Sequence, residues 1–149
     1  MPVNLKNYTS TVPAATSMSR IESYLVDAGA TDISKKYDSD KTCKSITFRM
    51  MLDGKPLFFQ ITAQVQSCFK VLYAEVKRPS PSTKQNINAQ AERTAWKIIS
   101  DWVEIQISMV QLEQAELLQV FLPFVYNPAN DKTYFDQMKE GGFKQLGNG

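Results

Sequence analysis

At 149 residues, 43% hydrophobic and 21% charged, the chain has the length and composition of one globular domain, not of a disordered segment. A net charge of +2, from 17 basic and 15 acidic residues, neither demands nor excludes a nucleic-acid partner. The absence of histidine excludes more: it removes the usual general base, the usual zinc nitrogen ligand and every Ser-His or Cys-His nucleophile pair. Two cysteines are too few for a disulfide scaffold. The opening MPVNLKNYTSTV has no apolar core of signal-peptide length, and no apolar run approaches the ~20 residues of a membrane span. The expectation is a cytoplasmic protein with no cofactor and no membrane partner.

Residues 4–12 read as a short strand with Tyr8 and Val12 as β-formers, ended by Pro13. A helix is predicted from about 16 to 28, capped by Ser or Thr and stopped by Gly29, with Met18, Ile21, Leu25 and Ala28 on one face. A strand follows at 32–37, then a turn at 38–41. Asp53-Gly54 signals a two-residue hairpin, because both central positions of a type I′ turn need positive φ. With that turn, Met50 faces Leu57, Phe48 faces Phe59 and Ile46 faces Ile61, all apolar and on one face. Arg49–Phe58, Thr47–Gln60 and Ser45–Thr62 fall on the other. Pro56 cannot supply an N–H to a further strand, so 55–62 is expected at a sheet edge near the turn.

Residues 64–77 read as an amphipathic helix, with Val65, Cys68, Phe69, Leu72 and Val76 along one face and Lys77 and Arg78 at its end. Pro79-Ser80-Pro81-Ser82 is a linker. From Thr83 to Leu122 there is no proline or glycine, and two apolar stripes run along a helical pattern. One holds Ile98, Trp102, Ile105, Met109 and Leu112; the other holds Trp96, Ile99, Val103 and Val110. One unbroken helix there measures about 57–60 Å, against a diameter of roughly 40 Å for a compact domain of this size. The helix therefore breaks near 111–114 or projects to meet another copy. Pro123 ends the element, and 127–149 reads as a loosely attached tail after a single domain at 1–126.

Candidate chemistry is sparse. Cys68 falls on a core-facing stripe, Cys43 starts a strand on its more polar side, and the two form no metal motif. Asp38-Ser39-Asp40 lacks the glycine and closing glutamate of a calcium loop, so turn chemistry explains it better. Arg49 and Phe58 on the outward hairpin face, with Lys77, Arg78, Lys84 and Arg93 about the linker, form a candidate nucleic-acid or ligand face: aromatic and basic side chains hold single strands by stacking and phosphate contact. Trp102, Ile105, Met109 and Leu112 form a candidate oligomer seam.

The stretch 91–124, AERTAWKIISDWVEIQISMVQLEQAELLQVFLPF, resembles a family of small uncharacterised bacteriophage and prophage proteins through its AW-x5-WVE pattern and its VFLPF stop. The likeness extends more weakly through NYTSTV and the Asp53-Gly54 hairpin. It implies a phage accessory protein in the host cytoplasm and supplies no activity or site. The combined expectation is an α+β fold: a small antiparallel sheet with helices packed on one face, and a long C-terminal helical segment. The favoured function is a non-enzymatic interaction protein that self-associates and binds a host protein or small ligand. The alternative is single-stranded nucleic-acid binding of the annealing type.

Overall fold

The computed structural model describes residues 4–147 and has an α+β fold: a five-stranded antiparallel sheet with five α-helices, one of them long. The chain forms two compact units. One comprises the chain up to Tyr24 with Ala63–Ile105; the other comprises Leu25–Thr62 with the chain from Gln106 onward.

In the first unit the strand expected at 4–12 is absent. Asn7 takes a left-handed φ of 62°, which breaks an extended run, and Ser10 N–H bonds back to the Asn7 carbonyl. Side chains further along the chain add to this: Thr94 Oγ1 donates to the same Asn7 carbonyl at 2.8 Å, and Gln90 Nε2 to the Ser10 carbonyl at 3.0 Å. Helix α1 (Ala14–Asp27) starts earlier than predicted, because the Pro13 carbonyl already accepts from Thr16 and Ser17. Helix α2 (Val65–Tyr73) buries Val65, Cys68 and Leu72 as the periodicity requires. It ends four residues short of Lys77: Glu75 and Val76 donate to Leu72 and Tyr73, tightening the chain into i→i+3 turns. Lys77 and Arg78 therefore sit in an exposed connection instead of capping a helix.

Helix α3 (Thr83–Gln111) has 29 residues and is about 43 Å long. It breaks in the polar stretch where the length argument places a break. Glu113 adopts φ 59°, its N–H bonds the Val110 carbonyl, and Gln114 N–H reaches the Met109 carbonyl at 2.9 Å. This is a Schellman closure with glutamate in the position glycine usually holds. Short α4 (Leu117–Phe121) follows, opened by a reciprocal Glu116/Gln119 capping box.

The second unit contains the sheet. Strands β1 (Asp32–Tyr37), β2 (Cys43–Leu52) and β3 (Lys55–Thr62) pair in that order, and the hairpin register is the one the sequence demands: Phe48 opposite Phe59, Ile46 opposite Ile61, Met50 opposite Leu57. Asp53 and Gly54 take φ of 50° and 76°, as a two-residue primed turn needs. Gly29 closes α1 with φ 108°, its N–H on the Val26 carbonyl and that of Ala30 on the Leu25 carbonyl.

As expected, β3 is an edge near the turn; two other features depart from expectation. First, past Pro56, Phe58 and Phe59 pair with Tyr126 and Val125 of β4 (Val125–Asn127), which in turn pairs with β5 (Lys132–Thr133). The segment read as a loose tail thus extends the sheet and adds helix α5 (Tyr134–Glu140), opened by a Thr133/Asp136 capping box. Second, the register jumps from Lys36↔Ser45 to Tyr37↔Cys43, leaving Lys44 as an extra residue. The bulge returns Cys43 to the face of Ile46 and Phe48, where it is buried. The centre of this unit is aromatic: Phe48 and Phe59 stack at 5.1 Å, and the fully buried Phe121 meets both edge-on at 5.9 and 6.2 Å.

Candidate functional site

The six residues of the predicted ligand face divide between the units. Arg49 and Phe58 are cross-strand partners in the second, and Tyr126 is the next partner of Phe58, so one row of the sheet reads Asp32, Arg49, Phe58, Tyr126. The aromatic content is higher than the sequence suggested, but the charge is matched. Arg49 Nη1 donates to Thr31 Oγ1 at 3.1 Å and to Asp32 at 3.4 Å. Lys36 pairs with Asp131 at 3.4 Å, and Asp131 also accepts from the Tyr126 hydroxyl. That hydrogen bond, then the charge of Lys36, holds the Asp131 carboxyl below its ordinary range; the same bond, then burial, raises the Tyr126 phenol. A row whose cations already face carboxylates offers little attraction for phosphate.

Lys77, Arg78, Lys84 and Arg93 belong to the first unit. Arg93 is structurally engaged: its Nε donates to the Ser10 carbonyl at 3.2 Å and its Nη2 to Gln90 Oε1 at 2.6 Å. With Glu92 it borders a cleft of about 490 Å³ formed with Thr11, Pro13, Ala14 and Ala15. Below it on α3, Asp101 accepts from Lys97 and from Asn7 at 2.9 Å. Burial alone raises the Asp101 carboxyl, but the hydrogen bonds from Lys97 and Asn7 and the nearby lysine charges outweigh it, and the net displacement is downward.

Lys84 lines a different cleft, of about 400 Å³, with Gln66, Phe69, Gln85 and Asn88. Phe69 is half-buried and stacks on Tyr73 at 5.4 Å, so the ring is held in place. Lys77 and Arg78 are exposed in the connection between the two helices that form this cleft. Sequence reasoning placed Phe69 in the core and passed over the three carboxamides. The available signal was charge: residues 64–90 hold Lys70, Lys77, Arg78 and Lys84 against Glu75, a net of +3, while the whole chain is +2.

Of the predicted seam, Trp102 and Met109 are half-buried, and Ile105 and Leu112 are 54% and 69% exposed. On the neighbouring stripe, Trp96 and Val103 are fully buried. Both cysteines are free and buried, and burial pushes the Cys68 thiol upward, away from thiolate chemistry. The 38–42 loop is closed by its own side chains: Asp38 Oδ1 accepts from the backbone of Asp40 and Thr42, and Asp40 Oδ1 from Thr42. Among the described residues no three His, Cys, Asp or Glu side chains gather to hold a metal, and no helix is long and apolar enough to cross a membrane.

These features define an α+β protein built on a five-stranded antiparallel sheet. No protein-family model, curated protein or solved structure matches the chain.

Proposed function

We propose that this chain is a non-enzymatic interaction protein that self-associates through the outward stripe of α3. The observation that carries the reading is Ile105, a large aliphatic side chain left 54% exposed in mid-helix while its neighbour Val103 is fully buried. A helix that satisfies its own unit with one stripe and leaves branched apolar side chains in water on another has a surface suited to a partner. A second copy is the partner always present at equal concentration, and two-fold pairing is the commonest way to cover such a stripe. In the second unit Leu112 is left still more exposed. The resemblance of 91–124 to phage and prophage proteins supports an accessory role of this kind, with a host protein or small ligand as the further partner.

The test is light scattering across a dilution series. A mass of twice the 16.9 kDa chain at high concentration, falling on dilution, is expected. Ile105→Glu should give monomers with an unchanged thermal melt, because the side chain is exposed in the folded chain. A mass of 16.9 kDa at every concentration overturns the reading.

A further inference from the structure

We infer that the cleft between α2 and the first turns of α3 is a binding site for single-stranded nucleic acid, taking one base against Phe69 and the flanking phosphates on Lys77, Arg78 and Lys84. The inference is independent of self-association and rests on residues of the first unit alone.

Three observations meet at this cleft. Its volume, about 400 Å³, lies in the range of small-molecule sites and has room for a base with its sugar. Its lining contains one aromatic ring, Phe69, whose stacking on Tyr73 fixes it before a ligand arrives. Stacking on such a ring tolerates any base, because every base has a π-face. The other lining groups are chemically selective: Gln66, Gln85 and Asn88 each carry a carboxamide, which donates and accepts at once. Base edges present donors and acceptors side by side, and carboxamides are the neutral side chains that match them. An acidic peptide would use the same cations but has no base to stack on Phe69.

Charge supplies the third observation. Residues 64–90 carry a net of +3, four basic side chains against one acidic, and the rest of the chain therefore sums to −1. Residues 41–52 also carry a net of +3, from Lys41, Lys44 and Arg49, so the excess is shared between the hairpin and the connection after α2. Lys77 and Arg78 are exposed in that connection, and Lys84 stands at the cleft itself. On the sheet, by contrast, Arg49 is already paired with Asp32, and Lys36 of β1 with Asp131. The complementarity to a polyanion therefore lies at the α2–α3 cleft.

Fluorescence anisotropy with a labelled single-stranded oligodeoxynucleotide tests the assignment. Three phosphate contacts give a log–log salt slope near −2, so raising the salt fourfold should weaken binding about 20-fold. The exposed triple variant Lys77→Gln/Arg78→Gln/Lys84→Gln should flatten that slope almost to zero. Gln85→Ala with Asn88→Ala, also exposed, should weaken binding several-fold and leave the slope unchanged. Phe69→Ala should cost about tenfold or more in affinity, with circular dichroism confirming that it folds. No binding at low salt, or a slope that the triple variant leaves intact, overturns the inference. So does polyglutamate competing as well as the oligonucleotide, which would reduce the cleft to a generic anion patch.

Discussion

Phe121 decides whether the chain after the α3 break is structural. It lies in the five-residue helix α4 beyond that break, it is fully buried, and its ring meets both Phe48 and Phe59 edge-on. Phe121→Ala removes a fully buried ring and leaves two core aromatics facing a cavity. Deletions of this kind cost about 3–5 kcal/mol, against a total of roughly 5–15 kcal/mol for a domain. At about 2–4 °C per kcal/mol for a chain of this size, the melting temperature should fall by about 6–20 °C. Phe121→Leu keeps most of the volume and should cost about 1–2 kcal/mol, the edge contacts being lost. The assay is urea unfolding followed by circular dichroism, with Leu122→Ala as comparison, since Leu122 is 40% exposed. If Phe121→Ala and Leu122→Ala shift the midpoint equally, the aromatic centre does not hold the C-terminal segment and the reasoning fails.

Two further outcomes follow from local geometry. Glu113→Gly relieves a left-handed glutamate, about 1–2 kcal/mol, and loses about 0.4–1 kcal/mol to the freer unfolded chain; thermal melts should show a net gain of about 0.5–1 kcal/mol, and Glu113→Val a loss. Asp101→Asn should destabilise by about 1 kcal/mol at neutral pH through its bonds with Lys97 and Asn7. Because the folded carboxyl lies below its unfolded value of about 3.9, this contribution is complete above that pH and fades as pH drops through the folded value. Melts of the two proteins should therefore converge only in acid, and a constant gap down to the lowest pH would count against the carboxylate's role.

The hairpin was legible because two independent signals had to agree and did. Asp53-Gly54 set a turn, and the apolar alternation on both sides matched the register that turn imposes. Gly29 was legible for a similar reason, since a Schellman stop has one strongly preferred residue. Glu113 makes the same closure with no such marker, so only the length argument located the break. The N-terminal segment misled because its β-formers are real, yet its carbonyls are engaged by Thr94, Gln90 and Arg93, 80 to 87 positions away. Strands β4 and β5, of three and two residues, carry no periodicity; β3's free edge beyond Pro56 recruits them.

Burial along α3 and the α2–α3 cleft show what a one-dimensional pattern leaves open. The buried positions Trp96, Ser100, Val103 and Ile107 follow a helical line, but Ser100 is polar, so an apolar count divides the line and promotes its neighbours. Two stripes of similar apolar strength then leave undecided which one faces inward; burial chooses the Trp96 stripe and leaves Ile105 outside. The cleft follows the same logic with polar residues. Gln66 and Phe69 stand three apart on one helix, and Gln85 and Asn88 three apart on the next, so each pair shares a face by periodicity alone. Each pair by itself is ordinary helix surface. That they line one cleft depends on how the short connection after Tyr73 turns the second helix against the first. Charge was the one component already visible along the chain, because Lys77, Arg78 and Lys84 are near neighbours before any folding occurs. A polyanion site assembled this way shows its electrostatic half in sequence and its recognition half only in three dimensions. The salt slope and the carboxamide variants therefore probe separable parts of it.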